Sequence, residues 1–313
     1  MSKRYEERMI SIETVEAGLR GVAYIPSRQI AATVYLAHHL EKPILVEGPA
    51  GVGKTELAKA AADYLQLPLI RLQCYEGLDE AKALYEWKYG KQLLYTQLLR
   101  DKLDDIISRK NGFASAMEKL HQYDDIFFSW PLLEPRPLLK ALQEKDGAVL
   151  LIDEVDKSDD EFEAFLLEIL SEYQVSVPEI GTVKAVTKPL VFLTSNNTRE
   201  LSEALKRRCL HLFIPFPEAA LEREIVCRRV PGISARLARQ IVKFIQDVRE
   251  LELKKVPSIS ETIDWARVLM ILHAEVLDPV LVRETLNTFI KFEDDVGIVT
   301  EKLHQLTALA VRP

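Results

Sequence analysis

The chain has 313 residues, of which 48% are hydrophobic and 28% are charged, and its formal net charge at pH 7 is −7. This length suits two domains, and the composition is typical of a globular protein rather than a disordered or fibrous one. No apolar run reaches the roughly 18 residues of a membrane span, and the charged N-terminus lacks the apolar core of a secretory signal. The acidic balance argues against a nucleic-acid substrate, but it leaves open a basic pore formed on assembly.

The three cysteines, Cys74, Cys209 and Cys227, are isolated and show no C-x-x-C spacing. We therefore expect neither a zinc site nor a disulfide framework. The pattern predicts buried, reduced thiols in a cytoplasmic protein.

A phosphate-binding pattern follows the first predicted strand. Residues 1–42 form an entry segment that ends in a predicted helix over about 27–40, and Ile44–Glu47 is an apolar strand. Residues 48–55 then read GPAGVGKT and open a helix-like stretch through Leu65. This is the G-x-x-x-x-G-K-[ST] pattern in the strand–loop–helix context that it requires. The alternative is a glycine-rich turn that happens to contain a lysine.

The residue types of this loop match triphosphate chemistry. Glycines let backbone N–H groups turn toward phosphate oxygens, and the helix N-terminus adds partial positive charge. Lys54 brings a cation to the β- and γ-phosphates, and Thr55 offers a hydroxyl to Mg²⁺. The residues predicted to bind the nucleotide are Gly48, Pro49, Ala50, Gly51, Val52, Gly53, Lys54, Thr55 and Glu56.

The segment after the second predicted strand (67–74) is too long for one strand-to-helix connection. Residues 75–147 combine helical patterns with an aromatic, proline-rich stretch, which predicts an insertion around 85–137 that folds as an extra helix and hairpin. Its aromatic residues either form an exposed partner surface or pack as local core. They are Trp87, Phe127, Phe128 and Trp130.

The next apolar run, residues 148–152, predicts a parallel strand that is buried on both faces. It ends in Asp153 and Glu154, where ligands gather in open α/β sheets. Asp153 suits Mg²⁺, and Glu154 can accept the proton of an attacking water. The alternative is an exposed acidic strand end.

Further elements complete an α/β pattern. Ser158 and Glu161 predict a capping box at the start of a helix, and residues 174–186 predict a hairpin. A buried strand over 189–197 ends near Asn196, which either orients the attacking water or is an ordinary turn residue. The last predicted strand covers 211–216.

Only amphipathic helices are predicted after residue 217. In one of them a single face carries Leu237, Ile241, Phe244, Ile245 and Val248. The chain therefore divides into a parallel α/β nucleotide-binding domain, residues 1–217, and an all-α domain, residues 218–313.

These motifs resemble those of AAA+ ATPases. GPAGVGKT, LLIDEVDK, the LTSN strand end and ALKRRC are similar to that superfamily's two nucleotide motifs, sensor and arginine-finger region. The insertion and the hairpin resemble the MoxR branch. RLQCYEGLDEAKALYEW and DEFEAFLLEILSEYQVSVPEIGTV resemble the MoxR proteins associated with carbon monoxide dehydrogenase maturation. The resemblance covers about residues 24–292.

The resemblance implies a P-loop core with a five-stranded parallel sheet, followed by a helical lid. It further implies ATP and Mg²⁺ at the interface between subunits of a homo-oligomeric ring, usually a hexamer. Arg208 is the implied arginine finger, with Arg207 as the second choice, although these side chains can also be read as a solvated helix end. The implied partners are a protein with a von Willebrand factor A domain and a client metalloenzyme.

One departure concerns the lid. Where many AAA+ lids carry an arginine that contacts the γ-phosphate, this chain has Glu261. We predict that Glu261 points away from the phosphates as a first-turn residue of a helix capped by Ser260. The missing charge must then come from Arg208 or Arg207 of the neighbour, or from Arg267.

The sequence thus predicts a cytoplasmic, Mg²⁺-dependent, ring-forming ATPase that remodels or activates a client enzyme, with neither nucleic acid nor membrane insertion. Two alternatives remain. A nucleic-acid motor on the same core would need a basic pore or an added DNA-binding domain. A nucleotide-gated scaffold with little turnover is disfavoured by the presence of Asp153, Glu154 and Asn196.

Overall fold

The computed structural model of the protein describes residues 7–106, 128–178 and 180–312, and of residues 98–106 it gives the backbone alone. The strands in these ranges, in chain order, are β1 Ile44–Glu47, β2 Leu69–Gln73, β3 Tyr85–Trp87, β4 Leu133–Pro135, β5 Val149–Asp153, β6 Gln174–Val177, β7 Gly181–Lys184, β8 Leu190–Ser195 and β9 Leu210–Phe213. The α-helices are α1 Ile12–Gly21, α2 Arg28–Leu40, α3 Lys54–Leu65, α4 Glu80–Ala83, α5 Tyr89–Ile106, α6 Pro137–Gln143, α7 Asp160–Glu172, α8 Glu203–Arg208, α9 Ala219–Arg229, α10 Ala235–Arg249, α11 Ile259–Ile271, α12 Pro279–Thr285 and α13 Glu293–Val311.

A five-stranded parallel sheet in the order β2-β5-β8-β1-β9 forms the centre of the first domain. The three inner strands are buried along their whole length, as their uninterrupted apolar runs predict. The edge strands β2 and β9 are partly exposed. The predicted fold class, an α/β P-loop core with a parallel five-stranded sheet and a helical region after it, is confirmed.

Alternate residues of each inner strand face opposite apolar layers. In β5, Leu150 and Ile152 face one layer, which includes α6 and α7. Val149 and Leu151 face the other, which includes α1, α2 and α3. Because both layers fix the sheet, the carboxyl ends of β1, β5 and β8 are held side by side at one edge.

Two small antiparallel hairpins stand outside the sheet. Strands β6 and β7 pair as predicted for residues 174–186. Strands β3 and β4 pair across the insertion, and α5 supplies its predicted helix. Trp87 is buried, whereas Phe128 and Trp130 are exposed. Phe127 lies outside the described residues.

The predicted capping box of α7 is wrong. The helix is capped by Asp159, whose carboxylate accepts from the N–H of Phe162 at 2.8 Å. Ser158 instead donates its hydroxyl to the carbonyl of Val155 at 2.7 Å. A 3₁₀ turn over Val155–Lys157 carries the chain past Ser158, so the helix begins one residue later than the pattern indicated.

Among the described residues, helices alone follow β9, and they enclose a separate apolar core. The ring of Trp265 lies 4.5 Å from that of Phe289 and 5.3 Å from that of Phe244. The predicted apolar face of α10 is fully buried in this core. The domain boundary at residue 217 stays a prediction.

Two smaller observations complete the fold. The cysteines are unpaired, but Cys227 is exposed, so the prediction that all three are buried is wrong for that residue. In the described part of the chain, no helix is both long enough and apolar enough to cross a lipid bilayer.

Candidate active site

The loop between β1 and α3 depends on glycine for two physical reasons. Gly48, Gly51 and Gly53 have φ of 145°, 73° and 98°, a region that L-residues with a side chain rarely adopt. A Cβ on Gly48 would lie 2.1 Å from the carbonyl oxygen of Ile214, and one on Gly51 would lie 2.4 Å from the Cβ of Ser258. The glycines thus also let the loop pack against the exit of β9 and the start of α11, a requirement that the sequence pattern does not reveal.

Lys54 opens α3 and is buried. Its ammonium donates to the carbonyls of Gly48 at 2.6 Å and Pro49 at 2.7 Å, and to Oδ1 of Asn196 at 2.8 Å. Burial lowers the pKa of Lys54, and the charges of nearby carboxylates, that of Asp156 first, oppose the shift. The ammonium therefore joins the loop to the end of β8.

Asp153 ends β5 and is 3% exposed. Its Oδ1 accepts from the hydroxyls of Thr55 at 3.0 Å and Thr194 at 2.5 Å. Its Oδ2 accepts from Nε of Arg71 at 3.1 Å and Nη2 of Arg71 at 2.6 Å. The carboxylate is therefore fixed by donors on three different elements of the core, namely α3, β8 and β2.

The residues here fit Mg²⁺. Thr55 and Asp153 offer a hydroxyl and a carboxylate 3.0 Å apart, both hard oxygen donors. Mg²⁺ in nucleotide sites is typically held by one or two such groups together with substrate phosphates and water. Thr55 and Asp153 would hold the ion, which supplies neutralising charge at the phosphates when bound.

Glu154 follows Asp153 in the left-handed conformation, with φ 57° and ψ 50°. Its N–H donates to the hydroxyl of Thr194 at 2.9 Å. Its Oε2 accepts from Nε2 of Gln73 at 2.8 Å and Nζ of Lys157 at 2.7 Å. The hydrogen bond with Glu154 and its charge raise the pKa of Lys157. A carboxylate held in this way faces the cavity as an oriented proton acceptor.

Asn196 lies between Lys54 and Glu154. Its Oδ1 accepts from Lys54, and its Nδ2 lies 3.4 Å from Oε1 of Glu154. The backbone N–H of Asn196 donates to Asp156 at 3.2 Å, and so do the N–H and hydroxyl of Thr198, at 3.0 and 2.6 Å. Burial opposes ionisation of Asp156, but the hydrogen bonds from Thr198 and Asn196 outweigh it and hold its pKa below the ordinary value.

Two cavities meet at the loop. A polar cavity of about 430 Å³ contains Lys54, Thr55, Asp153, Glu154 and Asn196, and Ala50 also lines it. A second cavity, of about 400 Å³, is mostly apolar, and Val52 contributes to its wall. Its apolar lining includes Tyr24, Ile25, Ile214, Phe216, Ile225 and Ile263. The pair of cavities suits a ligand with a charged end and a flat apolar end, such as a nucleoside triphosphate.

Glu56 lines both cavities, as do Gly51, Gly53 and Ser260. Its carboxylate lies 2.9 Å from Nη2 of Arg229, the last residue of α9. All the predicted loop residues thus lie at or between the two cavities, or hold Lys54 in place.

Arg207 and Arg208 lie apart from both cavities of their own chain. They end α8, where Arg207 pairs with Glu203 at 2.7 Å and Nε of Arg208 donates to the hydroxyl of Ser171 at 2.6 Å. Both side chains are exposed. The structure therefore does not bring these two predicted catalytic residues together with the others within one subunit.

Glu261 occupies the first turn of α11, as predicted, but the predicted cap is wrong. Ser258, not Ser260, caps the helix, and its side chain and that of Glu261 form a capping box. The N–H of Ser258 donates to Glu261 at 2.7 Å, and Lys255 lies 3.0 Å from its other oxygen. Because Ser258 begins the helix, Ser260 is left to line the cavities.

Sequence reasoning missed three residues of the polar cavity. Thr194 holds Asp153 and Glu154, Gln73 holds Glu154, and Arg71 holds Asp153. A partial signal was present, because Gln73 is a polar residue near the end of the second predicted strand, residues 67–74. Polar strand ends in a parallel sheet meet at one edge, so the polar end of β2 indicates the same edge as the ends of β5 and β8.

Comparison with known proteins gives distant relatives of similar size. An uncharacterized protein of Staphylococcus epidermidis is 27% identical over 237 residues, which are 74% of this chain and 76% of that protein. An uncharacterized protein of Staphylococcus aureus is 26% identical over the same shares.

Similar solved structures include the Thermotoga maritima RuvB Holliday junction branch migration motor, with 18% identity and a TM-score of 0.44 over 86% of this chain and 70% of that chain. A point mutant of the same protein gives 18% identity and a TM-score of 0.46 over 92% and 73%. At these scores the likeness carries no argument about function.

A family model described as the AAA domain, dynein-related subfamily, matches residues 43–209. This range contains β1, the glycine loop, β5 and β8, and thus the residues that line the polar cavity on the sheet edge. Since the match covers more than half of the 313 residues, the chain belongs to the dynein-related subfamily of AAA domain proteins.

Proposed function

We propose that this protein is a Mg²⁺-dependent ATPase of the MoxR type, which works as a homo-oligomeric ring and remodels or activates a client enzyme. One observation carries the proposal. A lysine, a threonine, two acidic residues and an asparagine converge in one polar cavity beside an apolar cavity of base size. These are the groups that phosphoryl transfer to water requires.

Each group has a role within this geometry. Lys54 places a cation at the phosphates, and Glu154 accepts the proton of the attacking water. Asn196 touches both Lys54 and Glu154, so it can orient that water between them. The apolar second cavity favours a purine base, and we propose adenine because the chain has no [NT]-K-x-D guanine motif.

The arginine content of the polar cavity supports a ring. No arginine of the described chain lines the polar cavity except Arg71, which is bound to Asp153. Arg208 is exposed, and its Nε donates to the hydroxyl of Ser171 rather than to an acid. We propose that Arg208 reaches the nucleotide of the neighbouring subunit, with Arg207 as the second choice. The proposed ring is a hexamer, the usual size in the family that the sequence resembles.

The client side of the proposal rests on the MoxR-like segments. The insertion hairpin β3–β4 and the hairpin β6–β7 stand outside the sheet, and β7 is mostly exposed. The partners proposed are a von Willebrand factor A domain protein and a client metalloenzyme. The net charge of −7 and the unpaired cysteines support a cytoplasmic protein without a nucleic-acid substrate.

The test is phosphate release by the purified chain and by Glu154→Gln, which keeps the shape but cannot act as a base. Turnover should fall at least ~100-fold while ATP affinity stays unchanged. Glu13→Gln, in an exposed pair with Arg28, is the matched control and should behave as the unsubstituted chain does. Normal turnover in Glu154→Gln would show that another group activates water.

The same variant tests assembly and the client. With ATP it should elute as a ring in light-scattering chromatography and co-purify with its partner. A protein with a von Willebrand factor A domain is the expected partner. A monomer under all nucleotide conditions would contradict the ring.

A further inference from the structure

Arg71 touches the central carboxylate of the site, yet the chemistry proposed above gives it no role. It lies in the edge strand β2, opposite Leu151 of β5. Its side chain is 50% exposed, whereas that of its partner Asp153 is 4% exposed. It lines the same polar cavity as Lys54 and Thr55.

The hydrogen bonds of Asp153 show what Arg71 occupies. Each carboxylate oxygen has room for about two donors. Oδ1 already accepts from two hydroxyls, and Oδ2 accepts from Nε and Nη2 of Arg71. For Asp153 to face a divalent cation, directly or through a water bound to the cation, at least one donor must leave.

Arg71, which donates to Oδ2, is the donor best placed to leave Asp153. Thr194 on the other side is buried and is held in place by the N–H of Glu154. Arg71 is half in solvent, and its other contact is the side-chain oxygen of Gln73, so its guanidinium can be rehydrated at small cost. A divalent cation near Asp153 would also repel it.

We propose that Arg71 is a resident counter-ion of Asp153 that competes with the divalent cation accompanying the nucleotide, and so sets how strongly nucleotide binding depends on the metal. This inference rests on the proposed function, because the ligand is the nucleoside triphosphate. Without metal, Arg71 neutralises Asp153 and limits its repulsion of the phosphates. With metal, the release of Arg71 offsets part of the affinity that the ion adds.

The test compares two dissociation constants for adenylyl imidodiphosphate, one with Mg²⁺ and one with EDTA, measured by calorimetry. In Arg71→Gln the ratio of the dissociation constant in EDTA to the dissociation constant in Mg²⁺ should rise about tenfold. Without metal, the substitution removes the positive charge that neutralises Asp153. With Mg²⁺, it removes the group that competes with the ion. Arg71→Lys keeps the charge and should stay within about threefold of the unsubstituted chain. Lys157→Gln removes the same charge beside Glu154 instead, and it should also stay within about threefold.

An unchanged ratio in folded Arg71→Gln would overturn the inference. An equal rise in Lys157→Gln would overturn it too, since the general field of the cluster would then explain the effect. Arg71→Ala gives a second neutral variant if the glutamine variant does not fold. If the unsubstituted chain binds no nucleotide, the proposed function fails and this inference fails with it, whereas normal metal-dependent binding with an unchanged ratio sinks this inference alone.

Discussion

Two of the arginine–carboxylate pairs in the described chain use the same chemical groups in different environments. In the polar cavity, half-exposed Arg71 binds one oxygen of Asp153. In the helical domain, Arg249 binds both oxygens of Glu222 at 2.7 Å, and their side chains are 8% and 0% exposed.

The buried pair makes further contacts with its surroundings. Thr262 donates to Glu222 at 2.9 Å, and Nε of Arg249 donates to the carbonyl of Pro257 at 2.7 Å. The guanidinium also lies 4.6 Å from the centre of the Phe216 ring, which lines the apolar cavity. This pair connects α9, α10 and α11 next to the site, and both of its side chains are shielded from water.

The difference teaches that burial, not residue type, separates a structural ion pair from an exchangeable one. Removing one partner of a buried pair leaves an uncompensated charge, which is strongly destabilising. Removing a partner that faces water changes the charge seen by a ligand and leaves the fold nearly intact. The following substitutions test this division.

The largest effect is expected from Lys54→Ala, which removes the buried cation of the polar cavity. A unit charge about 4 Å from a phosphate charge contributes roughly 4 kcal/mol at an effective dielectric constant near 20, or about 1,000-fold in affinity. Calorimetric titration of the folded variant with ATP should show this loss. Lys59→Ala, on the solvent side of the same helix, is the control and should bind normally. Wild-type affinity in Lys54→Ala would remove Lys54 from the binding site.

Arg208→Ala sharpens the comparison, because Arg208 is an exposed arginine with a hydroxyl partner rather than an acid. Loss of an arginine finger lowers turnover by roughly 1,000-fold or more, while binding to the altered subunit's own site is retained. Mixing Arg208→Ala with Lys54→Ala should restore some phosphate release in hybrid rings. Arg207→Ala is the matched control, and the two roles would be exchanged if it alone lost turnover. Mixed rings without any rescue would exclude action across the interface.

Arg249→Met tests the buried side of the comparison. Breaking a buried pair in this way typically destabilises a protein by about 3–5 kcal/mol. Urea unfolding should show this loss in the helical domain, and exposed Arg236→Met in the same helix should change little. A loss below ~1 kcal/mol would break the proposed division, because the buried pair would then resemble a surface pair.

The smallest effect is expected from Glu261→Ala. Its carboxylate caps α11 and pairs with Lys255, so it carries no charge to the phosphates. Turnover should stay within about threefold, equivalent to roughly 0.7 kcal/mol in the barrier. The thermal midpoint should fall slightly, as the loss of a capping interaction implies. Glu261→Gln keeps the capping bond and should restore the midpoint. A hundredfold loss of turnover would place Glu261 in the chemistry.

The sequence was sufficient for the elements that follow simple periodicity. Uninterrupted apolar runs identified β5 and β8, and the spacing of Leu237, Ile241 and Val248 identified the buried face of α10. The polar residues at the ends of β5 and β8 followed from the same reasoning, since parallel strands end at one edge.

Features that depend on long-range contact were out of reach. The contacts of Arg71 with Asp153 and of Gln73 with Glu154 could not be assigned without the strand order, because nothing local says that β2 lies beside β5. The two capping errors have a local cause. Ser, Thr and Asp can each act as the N-cap when they lie close together in the sequence. The preceding turn decides which of Ser158 and Asp159, or of Ser258 and Ser260, becomes the N-cap.

The left-handed backbone of Glu154 has a consequence for protein engineering. A residue with a Cβ in this conformation costs about 1–2 kcal/mol relative to an ordinary one, and glycine or asparagine would relieve most of that strain. We therefore expect a selection for thermostable variants to replace Glu154, although this residue is the proposed proton acceptor. Selection for heat resistance alone would thus tend to yield a more durable but inactive protein, and a screen of this family should score turnover and stability together.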